Sequence, residues 1–398
     1  MSSPEKLQWG FFGHRRINRM AVFTLPIEMM PFYRKNVEYL TEHAVDPDKR
    51  RYATKHEAVR HYIDIDHWGT YPFDDVPREW SEALLRYGEL RIIGPESMDT
   101  MNLKVREILR NRMATDTVLL EVNSPELPLF LPLTTYRSFW RDHILPQYYE
   151  DEWVLPIEET SQLLGINADN IIKIDAVDHF SEYGIVPYHL EKVQFQLQQA
   201  FENKNTERIL RISAEMGHYI GDAHVPLHTT ENYNGALTDQ VGIHAFWESR
   251  LPELFADKSY DYFVGKAEYI ENKREFYWKA VLDSHSLLDS VLAVEKRLSE
   301  TIPPDQQYCY EERNGRTIRT QCEQYARIYH QEMDGMVEQR MRDAILAIGS
   351  AWFTAWVDAG QPDLGDIFGK EASRSEEQEA LDRSYQQGEI KGRSHGLR

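Results

Sequence analysis

Two histidine–carboxylate pairs, each spaced by four residues and lying either side of one loop, constrain this chain more than any other feature. The first sits in the run Gly217-His218-Tyr219-Ile220-Gly221-Asp222-Ala223-His224-Val225-Pro226-Leu227-His228. On a helix, His218 and Asp222 fall one turn apart and project from one face. Pro226 disfavours helix at Val225, so the run stops there and the chain can bend, returning His228 toward the same pocket. His244 and Glu248 follow, the histidine sixteen residues after His228, across an Asn232-Tyr233-Asn234-Gly235 loop. One such pair is ordinary helix-surface chemistry. Two pairs, joined by a loop that opens on a third histidine, make a set of imidazole and carboxylate donors of the kind that holds zinc.

Most of the remaining signal is helical. Ile17, Met20, Ala21 and Leu25 recur at spacings of three and four, and further helices are expected over 35–43 and 56–65. Two successive helices are expected from Tyr188 to His224, parted near Asn203-Lys204-Asn205. Others follow over 245–255, 268–297 and 320–356. Between Trp68 and Asp175 the pattern is harder to read. Residues 79–91 and 102–113 look helical, and Pro125, Pro128, Pro132 and Pro146 break up what lies between. Strand signals are few, and the expectation is an all-α fold.

The formal net charge is −20, from 65 acidic and 45 basic residues, so the surface repels polyanions at long range. That argues against general duplex binding. It leaves room for a cationic pocket, because bound metals can be the largest charges in a site. No apolar run approaches the roughly 20 residues that span a bilayer. Cys309 and Cys322, with twelve residues between them, fit either a disulfide across a hairpin or two separate thiols. A disulfide would imply an oxidising compartment.

Upstream, Trp9-Gly10-Phe11-Phe12-Gly13-His14 sets a histidine at the head of the first helix, and His61-Tyr62-Ile63-Asp64 sets a histidine and an aspartate three apart. Taken alone, each has a structural reading. Taken in order, Trp9…His14, Asp46…His61, His218-x3-Asp222-x5-His228 and His244-x3-Glu248 resemble the superfamily of zinc-dependent phospholipase C and the trinuclear-zinc single-strand nucleases. The resemblance runs over roughly residues 9–360.

Carried onto these positions, the resemblance implies up to three zinc ions. One would be held by Asp46, His61, His218 and Asp222. A second would take Asp222 as a bridging carboxylate together with His14 and Trp9, and a third would take His228, His244 and Glu248. Asp46 is preferred to Asp48 for its distance before His61. Asp64 matches a carboxylate that binds no metal and hydrogen-bonds the attacking water or a nearby cation, for which Lys49, Arg50 and Arg51 are candidates. Asp46 and Asp64 are therefore the catalytic carboxylates of this reading. The implied activity is phosphodiester hydrolysis by zinc-activated water, with no organic cofactor.

Glu248 matches the phospholipase C branch, where the nucleases usually carry Asp, and the Gly-Gly-Asn element of the nucleases is replaced by Glu231-Asn232-Tyr233-Asn234-Gly235-Ala236. A phospholipid or small phosphodiester is therefore the expected substrate, ahead of nucleic acid. The alternatives are a single-strand nuclease or nucleotidase with the same metals, and a zinc-binding protein without catalysis. The aromatics Phe11, Phe12, Tyr62, Tyr233 and Trp247 are read chiefly as core, and His224 as a support on another face. In the family the tryptophan is the mature N-terminus, whereas here eight residues precede Trp9. On this reading 1–8 is a leader remnant or tag-like segment. Residues 9–368 form the hydrolase domain with 68–175 as an elaboration, and 369–398 is a charged, disordered tail. The resemblance implies an exported protein, periplasmic or extracellular; no export signal is written in the chain, and a cytoplasmic place is the alternative.

Overall fold

The computed structural model describes residues 11–95, 100–110, 116–122, 129–147, 150, 152–313, 315–365 and 376–387. Trp9 lies outside the described residues. Two compact units emerge: one joins the chain up to residue 72 with the chain from 184 onward, and the other is residues 73–183. The second unit thus begins and ends later than the 68–175 elaboration read from the sequence.

The 73–183 unit overturns the all-α expectation. Its strands are β1 (Glu89–Ile93), β2 (Met101–Leu109), β3 (Thr117–Val122), β4 (Leu129–Pro132), β5 (Trp153–Leu155) and β6 (Lys173–Val177). They form one antiparallel sheet in the order β4-β3-β2-β1-β6-β5. Leu90 and Ile92 alternate inward on β1, with Leu103 and Ala176 opposite Leu90 and Ile174 opposite Ile92, all buried. The stretch expected to be helical over 79–91 is helix only at Trp80–Tyr87, and 102–113 is largely β2. At Gly88 a side chain would run into Trp140, so the chain there packs backbone against ring. Short helices, including Trp80–Tyr87 and Leu133–Phe139, cover the sheet.

Among its described residues the larger unit is helical apart from one hairpin, β7 (Tyr308–Arg313) and β8 (Arg316–Gln321), which the Cys309–Cys322 disulfide ties together. Its centre is a bundle of Phe11–Ala21, Val186–Glu202, Thr206–Ala223 and Met336–Asp358. Apolar positions at helical spacing supply the buried core: Ile17, Leu197, Ile209, Ile212, Met216, Ile345 and Trp352. The Thr206–Ala223 helix starts where the Asn205 side chain accepts from the Arg208 amide at 3.1 Å. It ends ahead of Val225, which is extended as a residue before proline should be, and Pro226–Thr229 then makes a 3-10 turn carrying His228.

The helix expected over 56–65 is only Lys55–Ala58; His61 to Asp64 are irregular. The tail expected to be disordered contains a helix, Glu376–Gln387, seated on the short Asp46–Arg50 helix. Leu381 is buried there, Asp382 pairs with Lys49 at 3.0 Å, and the Tyr385 ring meets Tyr52 and Phe11. No helix among the described residues is long and apolar enough to cross a membrane.

Candidate metal centre

Every described candidate ligand lies in the helical unit. Two glycines explain how His14 reaches the Thr206–Ala223 helix. Gly217 and Gly221, four apart, face the Phe11–Ala21 helix. A Cβ on Gly217 would overlap the Asn18 side chain, and one on Gly221 would press Ile17 and His14 Nδ1 at 2.7 and 2.9 Å. The close approach lets the His14 ring stack on His218 with centroids 3.8 Å apart.

Hydrogen bonds then aim the other rings. His218 donates Nδ1–H to the Ala44 carbonyl at 2.8 Å, and His228 donates Nδ1–H to the His61 carbonyl at 2.6 Å. A carbonyl can only accept, so in each neutral ring Nδ1 bears the proton and Nε2 offers its lone pair inward. The amide of Ile63 donates to the His228 carbonyl at 2.9 Å. This reciprocal pairing joins the irregular 61–63 segment to the 3-10 turn and fixes His61 beside His228.

Asp222 is the hub. Its Oδ2 lies 2.9 Å from His61 Nδ1 and 3.3 Å from His218 Nε2, while Oδ1 lies 3.5 Å from His14 Nε2 and 3.8 Å from His228 Nε2. Glu248 is arranged similarly: Oε1 is 3.4 Å from His14 Nε2, and Oε2 is 2.7 Å from His244 Nε2 and 3.5 Å from His228 Nε2. Glu248 lies in a π-helical turn, Phe246–Arg250, that follows the Ile243–Ala245 turn carrying His244. Three groups have ligand atoms mutually within 4.8 Å: His14, His218 and Asp222; Asp48, His61 and His218; and His228, His244 and Glu248. All but Asp48 and Glu248 are buried, and those two are the partly exposed members.

Asp46, the carboxylate chosen from the sequence, stands outside the three groups. Asp46 is held by His43 Nδ1 at 2.6 Å and Lys49 Nζ at 3.1 Å, and Asp48 is the carboxylate grouped with His61 and His218. The i, i+3 spacing does not tell the two aspartates apart, since Arg51 stands three residues after Asp48 as Lys49 does after Asp46. Asp64 is buried but belongs to none of the three groups. Of the candidate cations, Lys49 pairs with Asp46 and Asp382, Arg50 with Glu57 and Glu215, and Arg51 with Asp48. His224 belongs to none of the three groups and donates to the Ile220 carbonyl at 2.7 Å. Phe11, Tyr62 and Trp247 are buried, as core residues are.

The electrostatics follow from this packing. Burial pulls His14 down, but the Glu248 and Asp222 carboxylates outweigh it and raise the ring to about 9. Burial and the neighbouring His14 charge push His218 down to about 4. Burial would raise the Asp222 and Glu248 carboxyls, yet the surrounding imidazoles hold both below the ordinary range. The donor set therefore presents ionised carboxylates and inward-facing imidazole nitrogens in a water-poor setting, and it fits a metal ion. Thiols take no part, since Cys309 and Cys322 are bonded to each other. No protein-family model matches the chain, and no curated protein matches it.

Proposed function

We propose that this chain is a zinc-dependent phosphoric ester hydrolase of phospholipase C type. The observation that carries the proposal is Asp222, whose two oxygens face different histidines and so suit a carboxylate shared between two cations. An all-nitrogen-and-oxygen donor set of His, Asp and Glu suits zinc, and its order along the chain resembles that of the zinc phospholipase C and single-strand nuclease superfamily. Bound zinc would supply Lewis acidity, lowering the pKa of water and neutralising charge on a phosphoryl group.

The residues divide the work. Asp48, His61, His218 and Asp222 would hold one ion; His14 and Asp222 would hold a second; and His228, His244 and Glu248 would hold a third. The backbone carbonyls of Ala44 and His61 keep two of the imidazoles in the tautomer that ligation needs. A lipid or other small phosphodiester is favoured over nucleic acid by the −20 net charge and by Glu248. The disulfide supports a place in an oxidising compartment outside the cytoplasm.

Turnover of a soluble choline phosphodiester and of single-stranded DNA, measured side by side, tests the proposal. The choline ester should be cleaved, the activity lost to a chelator and regained with zinc. Asp222→Asn should lower it by more than about 100-fold and Glu248→Gln by less, because only Asp222 faces all of His14, His61, His218 and His228. Cleavage of DNA alone would shift the assignment to a nuclease. Zinc binding with neither substrate cleaved would contradict catalysis.

A further inference from the structure

His61 turns Nδ1 into the ligand cluster, 2.9 Å from Asp222 Oδ2 and 3.0 Å from His218 Nε2. If Nδ1 binds metal, the neutral ring must carry its proton on Nε2, and this nitrogen is also buried. It faces Glu57 Oε1 at 3.7 Å, one turn back along the chain. A movement of about 0.8 Å would close that gap to the ~2.9 Å of a hydrogen bond.

Glu57 is fully buried, a costly place for a carboxylate. It is held by Arg60 at 2.7 Å, Arg50 at 3.4 Å and the Tyr219 hydroxyl, which donates to Oε1. Arg50 also pairs with Glu215. Two cations and a phenol thus fix one carboxylate against the outer nitrogen of a single histidine. Ala44 and His61 give His218 and His228 backbone carbonyls for the same purpose; His61 is given a charged acceptor instead.

We infer that Glu57 is a positioning residue for the metal centre, a buried carboxylate that sets the tautomer and basicity of His61 and so strengthens the site His61 shares with Asp48 and His218. The inference rests on the metal reading above. Zinc titrations by calorimetry of chelator-stripped wild type, Glu57→Gln and Glu215→Gln test it. Glu215 shares Arg50 with Glu57 and belongs to none of the histidine contacts, so it controls for loss of a carboxylate on that cation.

Glu57→Gln should weaken one class of zinc site by about 10- to 100-fold and leave the others, with Glu215→Gln titrating as wild type. Unchanged zinc affinity in Glu57→Gln, or equal weakening in Glu215→Gln, would overturn the positioning role. If Glu57→Gln does not fold, proton–nitrogen correlation spectra of zinc-loaded wild type decide the matter. The proton should sit on His61 Nε2, and a proton on Nδ1 would overturn the inference. Wild type that binds no zinc would overturn the metal reading itself, and this inference with it.

Discussion

The stacked rings of His14 and His218 are shifted in opposite directions, and the stability of the metal-stripped protein should show it. His218 sits at about 4 in the fold against 6.5 in the open chain, so unfolding takes up a proton between those values. Stability therefore rises with pH from about 4 to 6.5 on its account. His14 sits at about 9, above 6.5, so its contribution is complete below 6.5 and is lost as pH climbs through 9. Melting of chelator-treated protein across pH 4–9 should peak near 6.5 if these two groups dominate. A melting temperature still rising between 6.5 and 9 would contradict the burial of His14 between two carboxylates. Residue by residue, the sequence disclosed what local spacing encodes: His218 with Asp222, and His244 with Glu248. It chose Asp46 where the fold groups Asp48 with His61 and His218, because distance along the chain to His61 does not say which aspartate the fold turns toward it.

Helix Thr206–Ala223 contributes two candidate ligands and, through Gly217 and Gly221, the flat face against which the His14 helix lies. Gly221→Ala gains helix propensity of up to ~1 kcal/mol but must displace Ile17 and His14, an overpacking cost of about 1–3 kcal/mol. The expected result is a modestly lower melting temperature and loss of the zinc held through His14, with the His228–His244–Glu248 group still loaded. Full zinc content in Gly221→Ala, read by metal analysis, would count against the close approach. Helices of this kind were legible because their apolar faces repeat locally, and the 186–223 pair breaks at Asn203-Lys204-Asn205 as its composition indicates. The sheet was not. Strand β2 reads Met-Asn-Leu-Lys-Val-Arg-Glu-Ile-Leu, good helix formers included, and only Leu103 of it is buried. Its strand state comes from pairing with β1 and β3, and a pattern scan along one segment does not see such partners.

Across the chain, candidate ligands drawn from residues 14, 48, 61, 218, 222, 228, 244 and 248 meet in one unit, although residues 73–183 form a separate unit between His61 and His218 in sequence. Nothing in the packing of a helical bundle requires several buried histidines and carboxylates to converge. Their burial is costly unless something compensates their charge and lone pairs, and a metal ion does both. Where metal ions bind is therefore the property to observe. Anomalous diffraction from zinc-soaked crystals, recorded on both sides of the zinc absorption edge, tests it most directly. Peaks should appear among Asp48, His61 and His218 and among His228, His244 and Glu248, with Asp222 between the first site and His14. Zinc found only at surface carboxylates, with these groups free of anomalous density, would contradict the account.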